Sequence, residues 1–229
     1  MKCNENANAF YKLNGAVMKK IYLCLFLLPL LYGCISLKSE YPEISYYRLS
    51  QEPININNGG GITGTLQIRN FSSSDQLNTE HIMAIWDETK IQNYYYHRWV
   101  SAPAELVTDF IIERMNNAKL FNGGVIKPNS LVIPDYILEG HLLDMIAHNT
   151  RDRELDTNFI IISYQISLIK KEPLKTERNV LLNKLYTISV PRKNNEVSTV
   201  APAFSRGMSK LSDKMLNDII EAVKNSGNK

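Results

Sequence analysis

The chain has 229 residues, 44% of them apolar and 21% charged, close to the averages of globular domains. This composition excludes a disordered, collagen-like or multi-span membrane chain, and the length can bury a core without disulfide or metal staples. The formal charge of +3 sits ahead of residue 34, where Lys2, Lys12, Lys19 and Lys20 outnumber Glu5; the remainder is neutral and has no general attraction for nucleic acid.

Met18-Lys19-Lys20 followed by the apolar run Ile21–Leu31 is a charged segment leading an apolar one, the layout of a secretory signal. The run is too short to span a bilayer, which needs about 20 residues, and Pro29 disfavours a continuous helix through it. Its end, Leu31-Tyr32-Gly33-Cys34, resembles the bacterial lipobox, in which cleavage between Gly33 and Cys34 exposes the cysteine for acylation; the plainer alternative is an ordinary signal that ends near a cysteine. The three cysteines, Cys3, Cys24 and Cys34, all lie in this region. Cleavage would leave Cys34 alone, and with it no intramolecular disulfide and no cysteine-based zinc site. Residues 1–17, polar and rich in Asn, are unusual ahead of a signal and suggest Met18 as the true start. The expected organisation is a leader over 1–33 with the signal at 18–33, a lipidated tether over 34–43 and a periplasmic domain over 44–229. Ile35 follows the cysteine where an Asp resembles an inner-membrane retention signal, so the periplasmic face of the outer membrane is expected. The nine residues from Ile35 to Glu43 reach at most about 30 Å.

Within the body, Ile44–Leu49 reads as a strand, Pro53–Gly61 as a loop without the Lys of a phosphate-binding loop, and Ile62–Ile68 as a half-buried strand. Ile82–Trp86 and Ile91–Tyr96 form a hairpin about the four-residue turn Asp87–Lys90. Ser101 is placed to cap a helix with Pro103 and Glu105 in its first turn and a stripe of Leu106, Val107, Phe110, Ile111 and Met115; Asn122-Gly123-Gly124 ends this unit. Three long strands follow, Tyr136–Ala147, Phe159–Lys170 and Asn179–Val190. In the last, Val180, Leu182, Tyr186, Ile188 and Val190 are expected on the covered face. Lys170–Arg178 reads as a solvated hairpin tip. A final amphipathic helix runs from about Pro202 to Asn225. The fold class predicted is α/β, a single layered domain of about seven strands, mixed but mostly antiparallel, with two helices covering the sheet.

The chemistry-bearing residues form no recognisable constellation. His81, His97, His141 and His148 lack metal-ligand spacing, and the last two, seven apart in a strand, should face opposite sides. No Ser lies in a nucleophile elbow. Arg151, Asp152, Arg153, Glu154 and Asp156 alternate in sign as a solvated loop would. No catalytic residue, metal or cofactor is assigned. The densest feature is Tyr94-Tyr95-Tyr96-His97-Arg98-Trp99. Tyr95 and a neighbour are expected to fill core, whereas Tyr94, Tyr96, Arg98 and Trp99 are candidates for a partner surface; pure packing and a lipid-contacting groove are the alternatives.

Cys34 in its lipobox, Ile44-Ser45-Tyr46-Tyr47-Arg48-Leu49, and the stretch from Tyr94-Tyr95-Tyr96-His97-Arg98-Trp99-Val100-Ser101-Ala102-Pro103 to Leu120-Phe121 resemble the auxiliary lipoproteins of ABC-type transporters, the paraquat-inducible protein C group. The resemblance spans roughly residues 34–225 and departs at Val100-Ser101, where a small-acidic pair is common. It implies an α/β sandwich and a non-enzymatic periplasmic role. Its implied partners are a mammalian-cell-entry-domain conduit protein and the ABC transporter complex, with the lipoprotein docking the conduit at the outer membrane as a ring of copies. Two other readings compete: a structural lipoprotein that helps place outer-membrane proteins or lipopolysaccharide, and a lipid-anchored hydrolase, which has no visible nucleophile–base pair.

Overall fold

The computed structural model describes residues 42–54, 61–86, 89–150, 158–171 and 179–227. The signal, Gly33, Cys34 and most of the tether therefore lie outside the described residues, as do the Asp87–Glu88 turn, the Arg151–Asp156 charges and most of the Lys170–Arg178 tip. Residues 43–229 form one compact unit. Its elements in chain order are β1 (Ser45–Tyr47), β2 (Leu66–Ile68), β3 (Ser72–Ser73), β4 (His81–Trp86), β5 (Lys90–Trp99), α1 (Pro103–Ala118), β6 (Val125–Ile126), β7 (Tyr136–Asn149), β8 (Phe159–Lys170), β9 (Asn179–Pro191) and α2 (Val200–Ser226).

The single sheet is organised by β7. One of its edges pairs along its length with β8, which pairs in turn with β9, both antiparallel. The other edge receives three short strands in succession, β2, β3 and β4, each parallel to β7. Beyond them, β6 adds to β2, and β5 then β1 add to β4. Five of the eight pairings described are parallel, so the expected mostly antiparallel sheet is corrected. The reason lies in the connections. Strands joined closely in sequence, such as β4 and β5, pair antiparallel as short connections require. Strands delivered to β7 and β5 over long connections run parallel, and side-chain alternation carries no information about that direction.

Both helices pack on one face. α1 contacts β6 and β7, α2 contacts β8 and β9, and the helices contact each other. The predicted stripe of α1 is buried, as are Phe204, Met208, Leu211, Met215, Leu216 and Ile219 of α2. The sheet answers with Ile160, Ile162, Tyr164, Ile166 and Leu168 of β8, all buried. Close approach is set by small residues: a Cβ on Gly207 would lie 3.0 Å from Ile162 Cδ1 and 3.2 Å from Val190 Cγ2. Tyr164 stacks on Tyr186 with ring centroids 5.6 Å apart.

The helix boundaries differ in detail from expectation. Ala102, not Ser101, occupies the cap position of α1 and makes no side-chain cap bond; Pro103 begins the helix, where its missing N–H costs nothing. Lys119 closes α1 in the left-handed region at φ 49°. Strand β2 is shorter than predicted because Gly64, at φ 108°, breaks the extended run; upstream, Ile62 survives as an isolated bridge to Phe121. The two-residue strands β3 and β6 carry too few side chains for any periodicity to show.

Two bulges change which residues share a face. In β7, Leu142 pairs with Tyr164 but Asp144 pairs with Ser163, so Leu143 is an extra residue. His141 and His148 then lie opposite Gln165 and Phe159, an even separation on β8, and share a face instead of opposing one another. In β9, Leu168 pairs with Leu182 and Ile169 with Val180, which puts Val180 on the outer face and half exposes it.

The segment that follows β1 is held across the helix pair. Backbone N–H groups of Ser50 and Glu52 donate to Ser205 Oγ (3.0 Å) and Ser209 Oγ (3.1 Å) of α2, and Gln51 Nε2 donates to the Phe110 carbonyl of α1 (3.0 Å). Arg114 of α1 is completely buried beneath this strap. Its Nε donates to Asp213 Oδ1 at 3.0 Å, and Nη1 donates to the Glu52 carbonyl.

Candidate functional site

The Tyr94–Trp99 run forms the end of β5, where the pairing with β4 becomes irregular. His81 pairs with Arg98 and Met83 with Asn93, so a two-residue step on β4 faces a five-residue step on β5. The surplus falls on Tyr94–His97. It breaks the simple alternation of a strand and distributes the aromatic side chains among three environments.

Trp99 enters the core. It is 1% exposed and meets Phe204 of α2 edge to face at 5.7 Å. Tyr94 joins a polar network: Asn149 Nδ2 donates to its hydroxyl at 2.7 Å, and the hydroxyl donates to the Asn195 carbonyl at 3.4 Å. Asn149 Oδ1 accepts from Arg192, whose guanidinium also reaches Thr199 Oγ1 at 3.0 Å and the carbonyls of Glu196 and His148. This network fixes the start of α2 against β5 and β7. Burial lowers the Arg192 pKa, and the neighbouring Tyr94 opposes that shift. Two of the four candidate surface residues, Tyr94 and Trp99, are thus structural.

The opposite outcome holds for Tyr95, which is 68% exposed instead of filling core. Its ring meets that of Tyr96, also exposed, edge to face at 4.9 Å, and approaches His81 at 6.5 Å. Strand β1 completes the surface by pairing parallel with β5, which sets Tyr46 beside Arg98. Tyr46 is 58% exposed, and Ile44 and Val100 are exposed at the margins. Behind these rings, His81 Nδ1 and Arg98 Nε are buried atoms without a hydrogen-bond partner. His97 is committed to the fold through a 3.0 Å hydrogen bond shared with the Tyr47 hydroxyl. The result is a tyrosine-rich surface with a half-buried Arg and His beneath it, beside the strand that continues to the tether. Sequence reasoning missed Tyr46 and Tyr95 because an irregular ladder leaves no periodic trace. The available signal was the three consecutive tyrosines, which a strand cannot place on one face.

Two shallow cavities flank α1. One, of about 300 Å³, is lined by Met115, Asn116, Lys119, Phe121, Asn122 and Val125. The other, of about 290 Å³, is lined by Glu105, Thr108, Asp109, Ile112 and Lys127 among others. Thr108 Oγ1 is bound to the Ala104 carbonyl and the Phe71 N–H, so it is not poised as a nucleophile. Among the described residues no group of three or more His, Cys, Asp or Glu could hold a metal ion, and no helix is long and apolar enough to cross a membrane.

Against solved structures, the chain is similar to protein XCC0632 of Xanthomonas campestris, a DUF330 protein, with a TM-score of 0.69, 11% identity, and coverage of 81% of this chain and 99% of that one. The two share a fold. A second structure, of an uncharacterized protein, matches with a TM-score of 0.57, 11% identity, and coverage of 78% of this chain and 99% of its own. At these identities the likeness establishes architecture alone. No family model and no curated protein matches the chain.

Proposed function

We propose that the protein is a lipoprotein anchored through acylated Cys34 to the periplasmic face of the outer membrane. There it serves as a non-enzymatic auxiliary component of an intermembrane lipid transport system of the ABC and mammalian-cell-entry type, docking the conduit protein. The observation that carries this reading is the exposed tyrosine surface of Tyr46, Tyr95 and Tyr96 with Arg98, built on the strand that leads to the tether. Tyr and Arg are the residue types that dominate binding energy at protein interfaces. The fold shared with the DUF330 structure supports the reading, as do the lipobox, the short leash and the resemblance to transporter auxiliary lipoproteins.

Two linked measurements test it. Mass spectrometry of the chain from cells is expected to show Cys34 at the N-terminus carrying acyl groups, and Cys34→Ser is expected to release the protein from membranes. A photo-crosslinking residue at Tyr95 is expected to capture a mammalian-cell-entry-domain protein or a transporter subunit, and one at the buried Trp99 is expected not to. An unmodified Cys34 thiol refutes the anchor. Capture of only an outer-membrane assembly factor refutes the transport role.

A further inference from the structure

The most exposed apolar segment of the domain is separate from the tyrosine surface. Leu131, Val132 and Ile133, between β6 and β7, are consecutive aliphatic residues with relative exposures of 102%, 52% and 83%. The loop that carries them has a pinned neck. Ser130 N–H donates to the Lys127 carbonyl at 3.1 Å, and Gln67 Nε2 donates to the Pro128 carbonyl at 3.1 Å. On the returning side, the Asp135 carboxylate accepts the Thr65 N–H at 2.7 Å and its hydroxyl at 3.1 Å, and the Asp135 carbonyl accepts the Lys171 N–H at 2.8 Å. Pro128 and Pro134 restrict both arms. The tip is held outward on a fixed base, and no described residue covers it.

We infer that this tip is a lipid-binding element that inserts shallowly into a bilayer surface. Its composition separates it from the tyrosine surface: it has no aromatic residue and no Arg, and Leu and Val are under-represented among the residues that drive protein association. An aliphatic tip on a neck that carries lysines matches the boundary between acyl chains and headgroups, where apolar groups enter and ammonium groups stay with phosphate. Three lysines stand at the neck. Lys127 and Lys171 belong to the neck hydrogen bonds, and Lys170 pairs with Tyr136 at the start of β7. The Asp135 carboxylate is held by Thr65 but keeps its charge and offsets part of that of the lysines, and Glu105 and Asp109 share a cavity with Lys127 and offset it. The aliphatic tip therefore supplies most of the binding, and Lys170 and Lys171 add a smaller preference for anionic headgroups.

The tip lies before the first residue of β7, whereas the β1, β5 and β4 group joins the far half of that strand. The loop is therefore a second membrane contact, at the other end of β7 from the strand that continues to Cys34. It does not depend on acylation. The test uses the mature chain from residue 34 with Cys34→Ser, which has no acyl chain and no other cysteine. Val132→Cys or Tyr95→Cys then carries an environment-sensitive fluorophore. With vesicles of phosphatidylethanolamine and phosphatidylglycerol, the label at 132 is expected to shift to the blue and the label at 95 is not. Leu131→Ser with Ile133→Ser is expected to lower vesicle binding by about tenfold or more. Lys170→Gln with Lys171→Gln should weaken it severalfold and flatten its salt dependence. Binding that survives in the tip variant, a shift at 95 alone, or a tip variant that instead dissociates an oligomer in solution overturns the proposal. An unmodified Cys34 in cells would refute the anchor and leave this result untouched.

Discussion

His148 shows how one buried polar atom sets a pH response. Its ring stacks on Phe159 at 4.6 Å with an interplanar angle of 7°, and its Nε2 is buried without a partner. Burial, with a smaller contribution from the Arg192 charge, lowers its pKa below the usual 6.5. The folded state thus binds fewer protons than the unfolded state in that window, and stability rises with pH there. It is complete above about pH 6.5 and is lost as pH falls toward the lowered value. Asp144 acts in the opposite sense, because burial raises its pKa above 3.8 and stability falls as pH rises through that acid window. Urea midpoints compared at pH 5 and pH 7.5 are expected to show a smaller loss for His148→Phe than for the parent, since Phe keeps the ring stack and cannot be protonated. A second contrast separates structural from surface aromatics. Trp99→Ala should destabilise by about 3–5 kcal/mol, the usual cost of emptying a large core site. Tyr95→Ala should change stability by about 0.5 kcal/mol or less, because its ring is mostly in solvent. Thermal denaturation of the two variants checks both values, and a comparable loss in each would place Tyr95 in the core.

Among the elements, the strap from Ser50 to Pro53 ties the two helices together, and Arg114 is its clasp. The guanidinium reaches one carboxylate oxygen of Asp213 through Nε and Nη2 and the Glu52 carbonyl through Nη1, so its charge is paired. Replacing Arg114 with Ala would leave the Asp213 carboxylate without its ion-pair partner and the Glu52 carbonyl without its donor. The expected cost is about 3 kcal/mol, toward the lower end for a broken buried pair because Asp213 keeps some access to water. Chemical denaturation measures it, and faster proteolysis at residues 50–54 should accompany it. What the sequence disclosed at this scale followed its periodicity. The two helices and strands β7, β8 and β9 were legible because long amphipathic runs repeat the same signal many times. The bulges at Leu143 and Leu181 were not, since one surplus residue looks like any other until its partner strand is known. The same holds for the irregular pairing that turned Tyr95 outward and Trp99 inward. Arg114 and Asp213 gave no sign of their pairing, because a buried ion pair between two helices leaves no local spacing to read.

At the scale of the whole molecule, the leash gives the proposed role a measurable consequence. In the proposed role, with Cys34 acylated, the nine residues from Ile35 to Glu43 would confine the tyrosine surface to a layer beside the membrane, where binding is governed by effective concentration more than by intrinsic affinity. A flexible segment dilutes its load roughly as the −3/2 power of its length. Lengthening the leash about fourfold with Gly-Ser sequence should therefore lower the crosslinking yield at Tyr95 by about eightfold. Acylation, fold and thermal midpoint should stay as they were, because the insertion lies ahead of β1 and outside the compact unit. A surface that acted by intrinsic affinity alone would give the same yield at either length. If the anchor did not hold the domain at all, both chains would crosslink equally and both would appear in the soluble fraction, so fractionation beside the crosslinking separates a failed leash argument from a failed anchor.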